Sequence, residues 1–261
     1  REVLAICNEM ILSARQVQNR KAEGYFRRFS VVVYFYWGKY RKSLKFYQDL
    51  LDWEWFDRDE PEMFSIKAYV ALMYLFTGQR DSALQTIREE VEHKTQSHMS
   101  DDLWLVYMIQ AYIFHISAIG EGVPAREKDK LRQEAVKSMN MAKRYVSTFR
   151  GNHIFVRSVQ TIRELIVTEP DEEEFIEMIE SLLTEKEKLI PLAEEMTLVF
   201  LAGGLYEKEK WAETREYVIS SLAGREMETP FSVYARLVLA LILQRAGQKE
   251  EADAQMQLVE A

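Results

Sequence analysis

Apolar residues recur at helical spacing along most of the chain. Leu84, Ile87 and Val91 are one example, and similar runs occur in nearly every segment. Residues three, four and seven positions apart lie on one face of an α-helix, so each run predicts an amphipathic helix. Residues 31–34 are locally β-prone, but they lie inside a longer run of this kind and we expect them to be helical. The pattern predicts an all-α fold.

Four short turns divide these helical runs, and the turns resemble one another. They are residues 37–40, 77–80, 208–211 and 246–249. Each turn follows an apolar stretch and precedes a more charged one. A small residue and then a large apolar residue follow every turn at fixed distances: Ser43 and Tyr47, Ala83 and Ile87, Thr214 and Val218, Ala252 and Met256. A helix–turn–helix unit that recurs at a regular period is typical of an α-solenoid.

The spacing predicts a leading helix at 2–20 and then six helical hairpins. The predicted helix pairs are 22–37 with 40–52, 61–77 with 80–95, 101–119 with 124–149, 153–168 with 171–187, 191–207 with 210–222, and 230–246 with 249–260. Each of the five prolines precedes a predicted helix, where its missing N–H is not needed. We expect the leading helix to be the second half of an incomplete hairpin, or a capping helix.

No segment rich in Gly, Ser or Pro interrupts the chain, so we expect a single domain over residues 1–261. The chain opens at Arg1 in a helical pattern without a signal-peptide layout, and we expect it to be a fragment of a longer protein. Its one cysteine, Cys7, is typical of a reducing compartment and predicts a cytoplasmic protein. The uncharged run 103–120 contains Gln, His and Ser, which favours a buried helix over a membrane span.

Charge is distributed unevenly along the chain. The first 50 residues hold ten Lys or Arg and four Asp or Glu, whereas the whole chain has a net charge of −8. A basic segment of this kind can dock an acidic partner, although solvated helix faces explain it as well. Nucleic-acid binding through these 50 residues is a further alternative, and the overall acidity argues against it.

The motifs of common catalytic and metal sites do not occur in the sequence. It has no Gly-rich phosphate loop, His-Glu-x-x-His motif, cysteine pair or Gly-x-Ser-x-Gly motif. His93 and His98 are five positions apart and do not share a helical face, and His115 lies in an apolar run that favours a hydrogen-bonded core or groove histidine. The acidic residues in 169–174 precede a predicted helix, where they offset exposed N–H groups. We expect no enzymatic activity, no cofactor and no metal.

The repeated small and bulky positions resemble those of the tetratricopeptide repeat family. Two sets of residues carry the resemblance: Val31, Ala71, Ala202 and Ala240 at the first small position, and Tyr34, Tyr74, Leu205 and Leu243 at the bulky position. Small residues let two helices approach, and the bulky one fills the groove beyond them. The match covers four hairpins well, and its period is about 40 residues rather than the family's about 34. The resemblance implies a right-handed α-solenoid.

In tetratricopeptide domains the first helix of each hairpin lines a concave groove, so the resemblance implies a binding surface. The implied residues are Tyr25, Arg28, Val32, Phe35 and Tyr36 in the first hairpin, and Ser65, Ala68, Leu72, Leu75 and Phe76 in the second. Arg beside aromatic residues suits an acidic segment or a C-terminal carboxylate. Packing against a preceding repeat would explain the same aromatic residues. Segments 25–37 and 61–77 contain no Asn, which disfavours the chaperone-binding subset of the family.

These observations predict a non-enzymatic module that binds a protein segment in a concave groove, as the sensing or assembly part of a larger signalling protein. The alternative is a small-ligand-sensing domain of a bacterial transcription or signalling regulator, with a pocket built by the insertion 120–131 and the divergent fourth hairpin. A third possibility is a homodimer formed through the terminal helix, where Leu258 and Val259 have no following helix to cover them.

Overall fold

The computed structural model describes ten stretches of the chain: residues 2–54, 65–96, 102–119, 123–147, 153–167, 192–193, 195–199, 202, 209–223 and 229–260. Every regular element within these stretches is an α-helix, which confirms the all-α prediction. Backbone contacts group the chain into two compact units, residues 1–132 and 133–261. The single domain and its solenoid form stay predictions.

The described residues of the first unit form six complete helices and the beginning of a seventh. They are α1 (Glu2–Gln16), α2 (Arg20–Tyr36), α3 (Tyr40–Leu51), α4 (Ile66–Phe76), α5 (Arg80–Gln96), α6 (Leu103–Ile119) and α7 (Ala125–Val146), the last of which continues into the second unit. Consecutive helices pack on each other from α1 to α3 and from α4 to α6, and α3 also contacts α4. In addition α2 contacts α4, and α4 contacts α6. Helices α2, α4 and α6 therefore form one row, which we call the first row.

Two helices of the first row form the core of this unit. Except for Lys67, all residues from 65 to 73 in and before α4 are buried, and so are all residues from 102 to 114 in and before α6. A helix that is apolar on every side is stable only when it is surrounded by other elements. No helix in the described part of the chain is both long and apolar enough to cross a membrane.

The turn between α2 and α3 has a defined hydrogen-bond pattern. The Gly38 N–H donates to the Phe35 carbonyl at 2.9 Å, and the Lys39 N–H donates to the Tyr34 carbonyl at 3.0 Å. These two bonds make a Schellman motif, which satisfies the last carbonyls of the helix and needs a left-handed residue at its centre. Gly38 supplies that conformation with φ of 68°.

The same bonds and the same left-handed conformation recur at Gly78, Gly247 and Gln18. The turns predicted at 77–80 and 246–249 are therefore confirmed. The turn at Gln18 is a correction, because α1 ends at Gln16 rather than at residue 20 and forms a tight hairpin with α2. Glu209, with φ of 58°, takes the left-handed position in the turn that precedes Trp211.

Small residues after the turns are buried, as their spacing predicts. The residues at both small positions are inaccessible to solvent or nearly so: Val31, Ser43, Ala71, Ala83, Ala202, Thr214, Ala240 and Ala252. In the first predicted hairpin the Ser43 hydroxyl donates to the Val31 carbonyl at 2.6 Å. The side chain of one small residue thus touches the backbone of the other, and the expected close approach of α2 and α3 is confirmed.

The second unit contains the rest of α7 and four further complete helices in its described part. These are α8 (His153–Val167), α9 (Trp211–Leu222), α10 (Pro230–Arg245) and α11 (Lys249–Glu260), and residues 192–193, 195–199 and 202 are also helical. The predicted helix 171–187 lies outside the described residues. At the start of α10 the Thr229 side chain accepts from the Ser232 N–H, and the Ser232 hydroxyl accepts from the Thr229 N–H. This capping box lies at the start of the helix predicted to begin at residue 230.

Exchanging side chains at the left-handed turn positions should change stability in opposite directions. A Cβ added at Gly78 meets no atom within 4 Å, so Gly78→Ala introduces backbone strain without a clash. We expect it to lower the free energy of unfolding by about 1–2 kcal/mol, whereas Gln18→Gly relieves similar strain and should raise it. Urea denaturation measures both values. Equal stability of Gly78→Ala and wild type would contradict this explanation of the turn.

Candidate binding surface

Helix α2 has one side on which large apolar residues remain partly exposed. Tyr25, Phe29 and Tyr36 are four and then seven positions apart, so they lie on the same side of the helix. Phe26 and Val33 border them and are also partly exposed. Tyr25 is the most accessible of the five, with 36% of its surface exposed. We call these five residues the α2 face.

Three rings of the α2 face, those of Tyr25, Phe26 and Phe29, pack against one another along the helix. Tyr25 and Phe29 are nearly parallel, with ring centroids 6.4 Å apart, and Tyr25 meets Phe26 edge-on at 5.3 Å. Rings that are held in this way offer a broad apolar surface and lose little conformational freedom when a partner covers them. The face is therefore suited to contact another molecule.

Other sides of α2 are fixed by its neighbours. The buried Glu23 carboxylate accepts from Arg15 of α1 at 2.7 Å and from Arg27 at 2.8 Å. Burial alone would raise the pKa of Glu23, but the hydrogen bonds and charges of the two arginines lower it below its ordinary value. The Arg27 guanidinium also lies 4.9 Å from the centre of the Trp53 ring. These contacts hold the helix in place while the α2 face stays open.

Cationic side chains accompany the α2 face, and carboxylates do not. Arg20 and Lys21 are exposed at the start of α2, and Arg28 is partly exposed further along it. The first row as a whole contains one carboxylate, Glu23, which is already bonded to two arginines. Lys67 is the only charged residue of α4. A partner with negative charge therefore meets no like charge on these three helices.

Five of the ten predicted binding residues keep partly exposed surface: Tyr25, Arg28, Tyr36, Leu75 and Phe76. The other five are buried: Val32, Phe35, Ser65, Ala68 and Leu72. The predicted groove on α4 is thus covered over most of its length.

In α2, the position of α4 explains why Phe35 is buried whereas Tyr25 is exposed. The Phe35 ring meets Tyr69 at 5.3 Å and Phe76 at 6.4 Å, so Phe35 belongs to the contact between the two helices. The open side of α2 is displaced from it and contains Phe29, which the prediction omitted. Its sequence signal was the spacing of Phe29 from Tyr25 and Tyr36, which places all three on one side.

Ser65 belongs to a buried cluster of charged residues instead of a groove. Its hydroxyl donates to the Glu90 carboxylate, and Lys67 lies 3.8 Å from the same carboxylate. Nearby, the Lys94 ammonium donates to both Asp102 carboxylate oxygens at 3.0 and 3.1 Å. Glu90, Lys94 and Asp102 are all more than nine-tenths buried. The cluster ties α4 and α5 to the residue that precedes α6.

Burial dominates the electrostatics of this cluster. It raises the pKa of Asp102, and although Lys94 opposes the change, the Glu90 charge adds to it and the net shift is upward. Burial also raises the pKa of Tyr69, whose hydroxyl lies 3.5 Å from the Tyr36 hydroxyl. The attraction between Lys94 and Asp102 therefore does not fully offset the loss of solvent around them. The cluster is best explained as a structural contact between helices.

His115 of α6 is also a structural residue. Burial, together with the positive charge of Arg132, lowers its pKa to about 4. The imidazole is therefore neutral at neutral pH, as a core histidine would be. Within the described ranges, no group of three or more His, Cys, Asp or Glu side chains is arranged to hold a metal ion.

Several sequence predictions fall on residues that the structure does not describe. They include residues 120–122 of the proposed insertion, the acidic run 169–174, the divergent helix 171–187, and the side chain of Val259. The small-ligand pocket expected there stays a prediction.

No protein-family model matches this chain, and no curated protein is similar enough to be identified as a relative. Its likeness to the tetratricopeptide repeat family thus rests on the residues of the repeated turns and stays a prediction.

Removing one charge of the buried pair should destabilise the protein more than removing both. Asp102→Ala leaves Lys94 buried without its counter-ion, which we expect to lower the free energy of unfolding by about 3–5 kcal/mol. The double variant Lys94→Met with Asp102→Leu should be close to wild type or more stable. Urea denaturation provides the comparison. As a control, Glu127→Ala removes the exposed ion pair with Arg80 and should have an effect below about 1 kcal/mol. A double variant as unstable as Asp102→Ala would refute the explanation.

His115 should make stability depend on pH between about 6.5 and 4. The unfolded chain binds a proton at His115 near its ordinary pKa of 6.5, whereas the folded chain binds it only near 4. The stabilisation is therefore complete above pH 6.5 and is lost as the pH falls towards 4, by up to about 3 kcal/mol. Comparing urea denaturation of wild type and His115→Gln isolates this effect. Their difference in stability should shrink as the pH falls, and a difference independent of pH would disprove the assignment.

Proposed function

We propose that this chain is a non-enzymatic module that binds a protein segment on the α2 face. The observation that carries the proposal is the row of partly exposed rings at Tyr25, Phe29 and Tyr36, accompanied by Arg28. Tyr and Arg provide much of the binding energy at protein interfaces, and contiguous exposed apolar surface often marks such a site. A protein segment is the class of partner that this surface fits.

The helix arrangement supports a right-handed α-solenoid of about six hairpins over residues 1–261 as the framework. Within the first unit, α2, α4 and α6 follow each other in one row, and α3 and α5 connect them. Helices joined by one repeated turn geometry are what stacked hairpins require. In such a framework the α2 face lies at one end of the first row, and its Tyr36 contacts α4 through Tyr69.

The preferred segment is acidic, with aromatic or aliphatic side chains that cover the rings. Apolar side chains remove the α2 face from water, and carboxylates approach Lys21 and Arg28 without repulsion. A C-terminal carboxylate would serve equally well. Such a module acts as the sensing or assembly part of a larger cytoplasmic protein. Small-ligand sensing in a transcription or signalling regulator stays the alternative prediction.

A library of displayed random peptides provides a direct test. Selection on the wild-type chain should enrich acidic peptides with aromatic or aliphatic residues, and titration calorimetry then measures their affinity. We expect Tyr25→Ala with Phe29→Ala to weaken the selected peptides at least about tenfold, since each ring contributes apolar contact. Arg28→Ala should weaken acidic peptides and reduce the salt dependence of their binding.

Exposed residues outside the proposed contacts serve as controls. Ile219→Ala removes an apolar side chain of α9 that is 48% exposed, and Lys45→Ala removes an exposed cation of α3. Neither change should alter peptide affinity. The proposal fails if no peptide is enriched, or if the Tyr25 and Phe29 double variant binds as well as the controls.

A further inference from the structure

Two helices, one in each unit, present exposed or partly exposed residues with the spacing of a coiled-coil seam. In α1 these residues are Val3, Ile6, Met10 and Ser13, and in α10 they are Tyr234, Leu237, Leu241 and Gln244. The intervals alternate between three and four positions, which is the repeat that packs one helix along another. We call the two sets the α1 seam and the α10 seam.

Both seams face away from the contacts that hold their own helices. In α1 a separate set of residues is buried: Leu4, Cys7, Ile11 and Ala14. In α10 the residues that join the core of the second unit are Ala235, Val238, Leu239, Ile242 and Leu243. By contrast, Ile6 of the α1 seam is 56% exposed and Leu241 of the α10 seam is 46% exposed. Among the described residues, Ile6 and Leu241 therefore keep much of their apolar surface exposed.

The two seams match each other in one direction. When the helices run parallel, Val3 lies beside Tyr234, Ile6 beside Leu237, Met10 beside Leu241, and Ser13 beside Gln244. Three apolar layers are followed by one polar layer. An antiparallel arrangement in the same register would instead place polar residues beside apolar ones at both ends, which is unfavourable because their hydrogen bonds with water are lost.

Charges beside the seams favour the same direction. In a parallel coiled coil, the residue just before the first seam position of a repeat pairs with the residue just after the second seam position of the repeat beside it on the other helix. The charges of such pairs set which helices associate and in which direction. That rule brings Glu9 of α1 to Arg245 of α10, and both side chains are exposed. The Arg245 guanidinium lies 4.7 Å from the centre of the Trp211 ring, which holds it near the end of the seam. In a parallel pair of two α1 helices Glu9 would meet the buried Ala14 instead.

We propose that the α1 seam of one copy of this chain packs in parallel on the α10 seam of a second copy. Each copy has one seam of each kind, so the contact joins two different surfaces and can continue from copy to copy. Four layers bury at most about 1,200 Å², the size of weak and transient contacts, so assembly should require micromolar concentrations or higher.

Two seam variants that complement each other test the proposal with the full chain. Ile6→Asp disables the α1 seam and leaves the α10 seam intact, and Leu241→Asp does the reverse. In analytical ultracentrifugation the average mass of the wild type should rise with concentration, whereas each variant alone should stay monomeric. An equal mixture should form a dimer of one copy of each variant and nothing larger. Circular dichroism checks that both variants keep their helices.

Charge reversal tests the orientation independently. Glu9→Arg and Arg245→Glu should each weaken assembly, by about tenfold or less for a partly exposed pair, and combining them in one chain should restore it. Glu2→Arg is the matched control, because it makes the same change in charge on the same helix. Residue 2 would face the buried Val238 rather than Arg245. It should leave assembly unchanged.

Four results would overturn the proposal. The first is a wild-type chain that stays monomeric at the highest concentration. The second and third are self-association of Leu241→Asp, which would indicate pairing of two α1 helices, and self-association of Ile6→Asp, which would indicate another surface. The fourth is a mixture of the two variants that remains monomeric.

Discussion

Tight turns with one left-handed residue are the constraint on which the described fold depends. The residue after the left-handed position has two roles, since its N–H closes the preceding helix and its carbonyl accepts from the following one, as Lys39 does from the Ser43 N–H at 2.8 Å. No loop then separates the two helices, and their axes are forced close together. Only a small residue fits where they meet, which explains why Ser43 and Ala83 are fully buried.

The close packing that the tight turns impose also decides which apolar surface stays exposed. Helices α4 and α6 are mostly apolar and buried in the core, whereas α2 keeps the five partly exposed residues of the α2 face. Its buried side is fastened by Glu23, whose carboxylate joins α1 to α2 through Arg15 and Arg27. Partly exposed ring surface is thus presented on a helix that its buried contacts hold in place. This is the physical basis for assigning binding to α2 rather than to α4.

Local signals in the sequence predicted most of the helices and turns, and contacts between distant residues limited the prediction of the site. Gly38, Gly78 and Gly247 mark left-handed turns directly, whereas Gln18 adopts the same conformation without a sequence signal. Phe35 was assigned to a groove because its ring contact with Tyr69 of α4 depends on how two helices stack. Likewise, no local signal predicts the burial of Glu90 and Lys94, because their partners Ser65 and Asp102 lie outside α5.

The two proposed contacts differ in chemistry, and this difference allows both to exist on one chain. Rings with nearby cations suit a short acidic segment, whereas the aliphatic seams of α1 and α10 suit a regular helix. Since α1 packs directly on α2 and is bonded to it through Glu23, restraint of α1 by a second copy acts on the helix that presents the α2 face. Any effect of assembly on segment affinity is then matched by an equal effect of the segment on assembly. Measuring peptide affinity in Ile6→Asp, which cannot assemble through α1, therefore separates intrinsic binding at the α2 face from the contribution of assembly.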